Sequence, residues 1–391
     1  MTDTDSVAPT AAGRRLFSRP AAVASCVGFV LIGMFQALYG PAVPGLREEY
    51  GLSPSAAGLG LSLHFTGGVA GVLAFNAIHS RISNKALLGA SYALMAAGGA
   101  GFAFAPNWPL ALAAAFLGGL GFGGIDYGLN QLFAVGFGNR STAMLNILHA
   151  HFGIGAVLGP ALIAWTGPDG YAYAFGACAV LAGALILCTG GVGSQAQSPS
   201  VEKPAAAGSL LSRVLIGFLV LYILNVAVEA GVGGWEPTHL ETVGYSAGVA
   251  ASATSVYWLM MTVGRFLVVP ITLRYSPERI LTVCAAGVTA CLLLTLIPGA
   301  APWAYAGVGL FIAPVFPTGL PWLNRALPQA KRAGAWVIAA SMIGGVAAPP
   351  LLGMGIETSG IRAVPWLLTV LSGASLVATV WLIRSTRGRA D

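Results

Sequence analysis

The stretch "GSQAQSPSVEKPAAAG", residues 193–208, is the longest polar interruption between apolar segments of this 391-residue chain, and it lies almost at the midpoint. Its Ser, Gln, Pro and Ala residues are typical of a flexible linker rather than of a helix or a strand. Strongly apolar sequence continues on both sides of it. This stretch therefore predicts two units of similar size, residues 1–192 and 209–391, joined by a linker.

The composition of the whole chain points to a lipid environment. Hydrophobic residues make up 56% of the sequence and charged residues only 8%, with a mean hydropathy of +0.79. A soluble domain carries about 25% charged residues, and a helix that spans a bilayer needs about 20 apolar residues. We predict an all-α integral membrane protein with twelve spans in two pseudo-symmetric six-helix bundles, at about 20–44, 56–78, 85–105, 109–136, 142–166, 171–190, 210–234, 246–272, 280–298, 302–324, 332–355 and 362–384.

The positive charges give this topology an orientation. If the N-terminus is cytoplasmic, sixteen of the nineteen Lys and Arg residues fall on the cytoplasmic side, and only Arg47 and Arg362 fall outside. That asymmetry follows the positive-inside rule and would be lost if one span were missed. We therefore expect both termini and the linker in the cytoplasm, and most loop acids, including Glu236 and Glu241, on the outside.

Charged side chains inside the predicted spans are few: Asp126, Glu229 and Arg265. A charge at mid-membrane costs about 2.5–3.5 kcal/mol on insertion scales, so such residues normally face a partner or a water-filled cavity. In "GGIDYGLNQLF" (123–133), Asn130 follows Asp126 by four residues and shares its helix face. His149 on the next span has a similar depth, so a direct Asp126–His149 hydrogen bond is feasible. The pair could carry a proton or could instead be a structural network.

The seventh and eighth spans hold further candidates. Glu229 is expected in the outer half of its span, as a cavity residue or at the interface. The glycines at 231, 233 and 234 predict local unwinding there. Trp235 is either a stacking platform or an interfacial residue. Arg265 either faces the site or extends to the inner interface. We expect His64 and His151 to be packed and hydrogen-bonded.

Several of these stretches resemble the fucose permease and sodium-dependent glucose carrier branch of the major facilitator superfamily. The similar segments are "GGIDYGLNQLF", "MLNILHAHFGIGAVLGP" (144–160), "YILNVAVEAGVGGW" (222–235), "YWLMMTVGRF" (257–266) and "APVFPTGLPW" (313–322). The resemblance implies alternating access around a central cavity. It also implies that the acid of the fourth helix takes part in solute binding and coupling. The acid that fucose permease carries on its first helix is missing from "MFQALYGPAVPGL" (34–46), so Asp126 or Glu229 would have to carry any coupling.

Together these observations predict a secondary carrier of a small polar solute, a sugar or sugar-like compound, that moves with a coupling proton. The alternatives are sodium coupling, proton-driven export of a drug or natural product, or a receptor on a carrier fold. Asp126 and Glu229 are the candidate coupling residues. The candidate solute-binding residues are Gln36, Tyr39, Asn130, Asn146, His149, Asn225, Trp235, Trp258 and Arg265.

The expected surroundings of the protein follow from the same patterns. No metal-ligand, nucleophile or nucleotide-binding pattern occurs in the sequence, so we expect neither an enzyme nor a bound cofactor or metal. The basic residues form no stripe that would suit a nucleic acid. We expect a monomer in the inner (plasma) membrane of a bacterium, with the solute and the lipid bilayer as its partners.

Overall fold

The computed structural model of the protein describes residues 16–137, 141–193, 213–327 and 333–386, and most of the predicted linker lies outside these ranges. Nearly all described residues are helical. The helices are α1 Arg19–Tyr50, α2 Pro54–Ile78, α3 Asn84–Ala103, α4 Trp108–Gly136, α5 Ser141–Thr166, α6 Tyr171–Cys188, α7 Arg213–Thr242, α8 Ala247–Thr272, α9 Pro277–Leu294, α10 Ala301–Ile312, α11 Val315–Ala326, α12 Ala333–Ser359 and α13 Val364–Thr386.

Local sequence explains where many of these helices begin and end. A polar side chain precedes α1 and accepts a hydrogen bond from a backbone N–H of the first turn: Ser18 Oγ accepts from Ala21 N at 3.2 Å. The same arrangement begins α2, α3, α4 and α8, at Ser53, Ser83, Asn107 and Ser246. These caps satisfy donors that have no partner within the helix. α1 ends at Gly51, whose φ of 62° suits a residue without a side chain.

The structure confirms the predicted fold class. Among the described residues, length and hydropathy identify eleven segments able to cross a membrane, and α10 and α11 together form one of them. α12, with 27 residues, has the length of a further crossing. The tenth and seventh spans differ most from the prediction. The tenth span is divided at Pro314, which lacks a backbone N–H. α7 runs unbroken to Thr242, so its glycines do not unwind it, and Glu236 and Glu241 are helical rather than in a loop.

Contacts between helix ends confirm that successive helices alternate in direction. At one end of the molecule, Asn84 Nδ2 at the start of α3 donates to Gly193 O after α6. At the opposite end, Tyr50 Oη at the close of α1 donates to Ala105 O after α3. We call the first the inner end, which the charge pattern predicts to be cytoplasmic, and the second the outer end.

Small residues let the helices within each half pack closely. An ideal Cβ built on Gly67 of α2 would lie 3.0 Å from the Cα of Gly119 of α4, and the Cβ of Gly119 would meet Gly67 equally closely. The glycine run of α4 therefore serves helix packing, as its sequence predicts. The main buried core of α1–α6 is rich in aromatic and aliphatic residues. Of two further buried clusters, one lies within α7–α13 and the other joins the second half to α1, α2 and α5.

The two halves meet mainly along three pairs of helices: α2 with α12, α5 with α8, and α1 with α7. Their contacts are close at the outer end. The backbone N–H and Oγ of Ser55 on α2 donate to Glu357 Oε1 on α12, at 2.9 and 2.6 Å. Deeper, Ser62 Oγ donates to Val346 O at 2.6 Å. Gly40 of α1 packs directly on the backbone of Gly233 of α7. These contacts close the outer end.

Candidate functional site

A cavity of about 850 Å³ lies between the two halves. One wall comes from α1, α2, α4 and α5, and the other from α7, α8, α11 and α12. The lining continues to Pro277 and Arg325, which lie at the inner ends of α9 and α11. Because the outer end is closed, the protein is in an inward-facing conformation. Six of the residues predicted for coupling or solute binding line this cavity: Gln36, Asp126, His149, Glu229, Trp258 and Arg265.

A continuous hydrogen-bonded bridge joins α4 to α5 on the first wall. Asn130 Nδ2 donates to both the Oδ1 and the backbone carbonyl of Asp126, each at 2.9 Å. Asn130 Oδ1 lies 2.9 Å from His149 Nε2, which must donate because an amide oxygen only accepts. The expected direct Asp126–His149 bond is therefore replaced by a bond through Asn130. The ring of Phe29 packs edge-on against His149 at 5.4 Å.

The opposite wall carries the other charged groups. Glu229 lies near the middle of α7, deeper than predicted, because the helix extends beyond the expected end. Arg265 lines the cavity, and its Nη2 lies 3.8 Å from the Sδ of Met261, one turn earlier on α8. Its guanidinium interacts electrostatically with the Glu229 carboxyl and with the His149 ring across the cavity. Trp258 presents its ring to the cavity, and its Nε1 has no hydrogen-bond partner among the described residues.

Three predicted solute-binding residues lie away from this cavity. Tyr39 and Trp235 line a void of about 10 Å³ below the outer closure, and Trp235 Nε1 donates to Pro349 O at 3.0 Å. In this conformation Trp235 is therefore buried and packed below the outer closure, away from the cavity. Asn225 lines another void of about 10 Å³ inside the second half. The side chain of Asn146 lies outside the described part of the structure.

The two other histidines have different environments. His64 is fully buried against the rings of Phe35, Tyr39 and Phe122, at 5.4, 5.1 and 5.0 Å. Neither of its ring nitrogens has a hydrogen-bond partner among the described residues, so the expected hydrogen bond is absent there. His151 Nδ1 pairs with Ile147 O of its own helix at 2.7 Å, as a packed and hydrogen-bonded histidine should.

Most of the apolar residues that line the cavity between the halves were not predicted from the sequence. Aromatic rings surround the cavity on both walls: Phe29, Phe65, Phe122, Phe152 and Phe316. An aromatic residue of a spanning helix has the same pattern whether it faces lipid or a cavity, so no signal in the sequence identifies these. At the inner mouth, Arg325 pairs with Glu278 at 2.9 Å.

Glu236 is the most unexpected acid. The prediction placed it in an outer loop, but it is fully buried in α7. Pro237 resembles a helix end in the sequence, although α7 continues past it. The apolar character of "GVGGW" just before it is the only signal for a helix that continues.

A larger cavity, of about 1120 Å³, lies in the second half near the inner end. Mostly apolar side chains of α8, α9, α10 and α13 line it, and it contains none of the predicted coupling or solute-binding residues. The chemistry expected from the sequence is therefore concentrated in the smaller cavity between the halves.

This architecture agrees with comparisons to known proteins. A sequence profile described as Major Facilitator Superfamily matches residues 25–331 and 218–391. The chain belongs to this superfamily. Such proteins are transporters, so this major facilitator is a multi-pass membrane transporter and not an enzyme.

Individual relatives of this major facilitator are distant. It is 23% identical over 372 residues to a sodium-dependent glucose transporter 1A of Mus musculus, covering 83% of this chain and 87% of the relative. It is 26% identical over 369 residues to a gentisate transporter of Corynebacterium glutamicum, covering 83% and 80%. The solved structure of a D-xylose-proton symporter superposes with a TM-score of 0.74 at 16% identity, covering 93% and 96%. The glucose-carrier relative confirms the resemblance drawn from the sequence motifs, and the solved structure supports the fold.

Proposed function

We propose that this transporter carries a small, neutral, hydroxyl-rich solute such as a sugar, together with a proton, by alternating access. The observation that carries the proposal is the arrangement of polar groups in one cavity between the halves. The Asp126–Asn130–His149 bridge lies on one wall, and Glu229 with Arg265 lies on the other. A solute that contacts both walls would draw the halves together.

The charges of the cavity favour a neutral solute. Two carboxylates, Asp126 and Glu229, line it, and the guanidinium of Arg265 can balance one of them. Arg325 already pairs with Glu278. A solute with its own negative charge would add repulsion, whereas hydroxyl groups can donate to the carboxylates and accept from Arg265. The rings of Phe29, Phe152 and Trp258 supply apolar surface for the flat face of a sugar.

The charges of the cavity also favour proton coupling through Asp126. Asn130 donates to one carboxylate oxygen, Oδ1, and no further hydrogen bond to Oδ2 occurs among the described residues. A proton on Oδ2 would neutralise the acid that Arg265 does not balance. Asp126 would then bind its proton before the loaded cavity closes and release it when the cavity meets water on the other side. The sodium named in one relative is the alternative coupling ion.

Proteoliposomes containing the purified protein and an internal pH-sensitive dye test this proposal. Sugars are added outside one at a time, and proton entry is followed for the wild type and for Asp126→Asn. The matched control is Asp169→Asn, which removes an exposed acid at the outer end. We expect one sugar to drive proton entry in the wild type and in the control, but not in Asp126→Asn. Unchanged proton entry in Asp126→Asn would exclude Asp126 as the coupling acid.

A second candidate solute is an aromatic hydroxy acid, suggested by the aromatic lining and by Arg265, which can pair with a carboxylate. The same assay, with hydroxybenzoates in place of sugars, separates the two. Proton movement opposite to an added amphipathic drug would instead indicate an exporter. Sodium entry without proton movement would show that sodium, and not the proton, is the coupling ion.

A further inference from the structure

A buried carboxyl group lies outside the central cavity, towards the closed outer end. Glu236 follows Glu229 by seven residues on α7, roughly 10.5 Å along the axis, and on nearly the same face because seven residues make about two turns. None of its surface is exposed. Neither of its carboxyl oxygens has a hydrogen-bond partner among the described residues.

The side chains around Glu236 offer no compensating cation. The titratable groups that interact with it are Tyr257 on α8 and Tyr305 on α10, with the hydroxyl of Thr254 nearby. His239 lies one turn further along α7, and its Nδ1 pairs with Tyr305 Oη at 3.1 Å.

The cations nearest to this region act on other groups. Arg362, before α13, acts on His239, while Arg265 acts on Glu229 and Tyr257. At the outer ends of α1 and α12, Glu49 accepts from Tyr171 and Glu357 accepts from Ser55. Among the described residues, Glu236 takes part in no ion pair.

An isolated charged carboxylate in such a place is strongly unfavourable. Removing one from water costs several kcal/mol unless a partner compensates it. A neutral carboxylic acid costs far less to bury. While the outer end is closed, the environment of Glu236 therefore favours the protonated acid over the carboxylate.

Residues just before this acid on α7 make contacts of the outer closure. The adjacent Trp235 donates to Pro349 O on α12, and Gly233, three residues before Glu236, packs on Gly40 of the other half. Separation of the halves at the outer end would break the contact of Gly233 with Gly40 and admit external water to this part of α7. Glu236 would then exchange its proton with the outside and not with the central cavity.

We infer that Glu236 is a second proton-binding site, and that the outer end closes only when this site has bound a proton from outside. The site is distinct from the coupling acid Asp126, which lies in the other half. The inference rests on the proposed function only in its use of alternating access, because neither a solute nor proton transport is needed to test it.

Infrared difference spectroscopy of the protein in lipid tests the first part of the inference. The carbonyl stretch of a protonated acid is resolved from that of a carboxylate, so Glu236→Gln should remove one protonated-acid band at neutral pH. Glu241→Gln, which changes a less buried acid on the same helix, should retain it. If Glu236→Gln does not fold, Glu236→Asp should shift the band. A band unchanged by these substitutions would overturn the inference, as would its loss on adding Na⁺.

The second part is tested by labelling a Val43→Cys reporter, in a background without the native cysteines, from outside. Val43 lines the void below the outer closure and is buried when that closure is intact. Raising the external pH should increase labelling by up to about tenfold per pH unit, relative to Glu236→Gln, because deprotonated Glu236 opposes closure. Glu241→Gln should behave as the wild type. Equal pH dependence in the wild type and in Glu236→Gln would refute proton-dependent closure, even if Asp126 proves to be the coupling acid.

Discussion

Replacing Gly40 with Ala should hold the outer end of the transporter open. Gly40 lies where α1 of the first half meets α7 of the second. An ideal Cβ on Gly40 would lie 2.9 Å from the carbonyl carbon of Gly233 and still nearer to its oxygen, and 3.3 Å from the Cα of Gly234. All three atoms belong to the backbone, so no side chain can rotate away. The two helices would have to separate by about 1 Å or more to reach an ordinary carbon–carbon distance.

The size of the effect follows from the cost of overpacking. Forcing extra atoms into a closely packed contact costs about 1–3 kcal/mol. The penalty applies only while the outer ends of α1 and α7 touch, so it acts on the inward-facing conformation alone. Since about 1.4 kcal/mol changes an equilibrium tenfold, the substitution should favour outward-open conformations by about 5- to 150-fold.

The assay uses the Val43→Cys reporter with an impermeant thiol reagent added outside sealed proteoliposomes. Labelling in the Gly40→Ala background should accelerate, and solute transport should slow because the cycle requires closure. Gly176→Ala is the matched control, because it adds the same methyl group to α6 where no atom lies within 4 Å. Labelling of Gly40→Ala at the rate of the wild type and the control would show that this contact does not govern closure.

Other contacts predict effects of different kinds. Asn130→Ala removes the bridge between Asp126 and His149 and leaves both without that partner, so solute affinity, measured by calorimetry, should fall about 5- to 150-fold for a loss of 1–3 kcal/mol. The control Gln131→Ala should leave solute affinity unchanged. Glu357→Gln weakens two hydrogen bonds that Ser55 donates across the halves, which should increase labelling of the Val43→Cys reporter from outside by about tenfold. An unchanged labelling rate would show that closure does not depend on these bonds. Trp235→Phe loses the bond to Pro349 O, which should lower the free energy of unfolding by about 1 kcal/mol in denaturant titrations.

Among the described residues, length and hydropathy account for eleven of the twelve predicted spans, because each crossing requires its own apolar length. They failed at the end of α7, where Pro237 suggested termination although the segment from Gly231 to Leu240 is buried by neighbouring helices. Packing against other helices stabilises α7 on both sides of Pro237, and the local sequence does not predict such packing.

The candidate site was predictable within a helix but not between helices. The spacing of four residues placed Asn130 beside Asp126, as the structure shows. The partner of His149 depends on how α5 is rotated against α4, and a one-dimensional pattern contains no such rotation. For the same reason the sequence could not separate Trp258, which faces the cavity, from Trp235, which packs below the outer closure.

The break in the tenth span has a mechanical consequence. Pro314, Pro317 and Pro321 follow one another along the start and body of α11, and each removes a backbone donor that would tie it to the preceding turn. Tyr222 of α7 holds this segment through a bond to Phe316 O at 2.8 Å. α11 is thus joined to α10 by fewer backbone hydrogen bonds than the two parts of an unbroken helix would share. The resistance of the inner mouth to bending therefore depends more on side-chain contacts, such as that of Tyr222, than on the backbone of the tenth span.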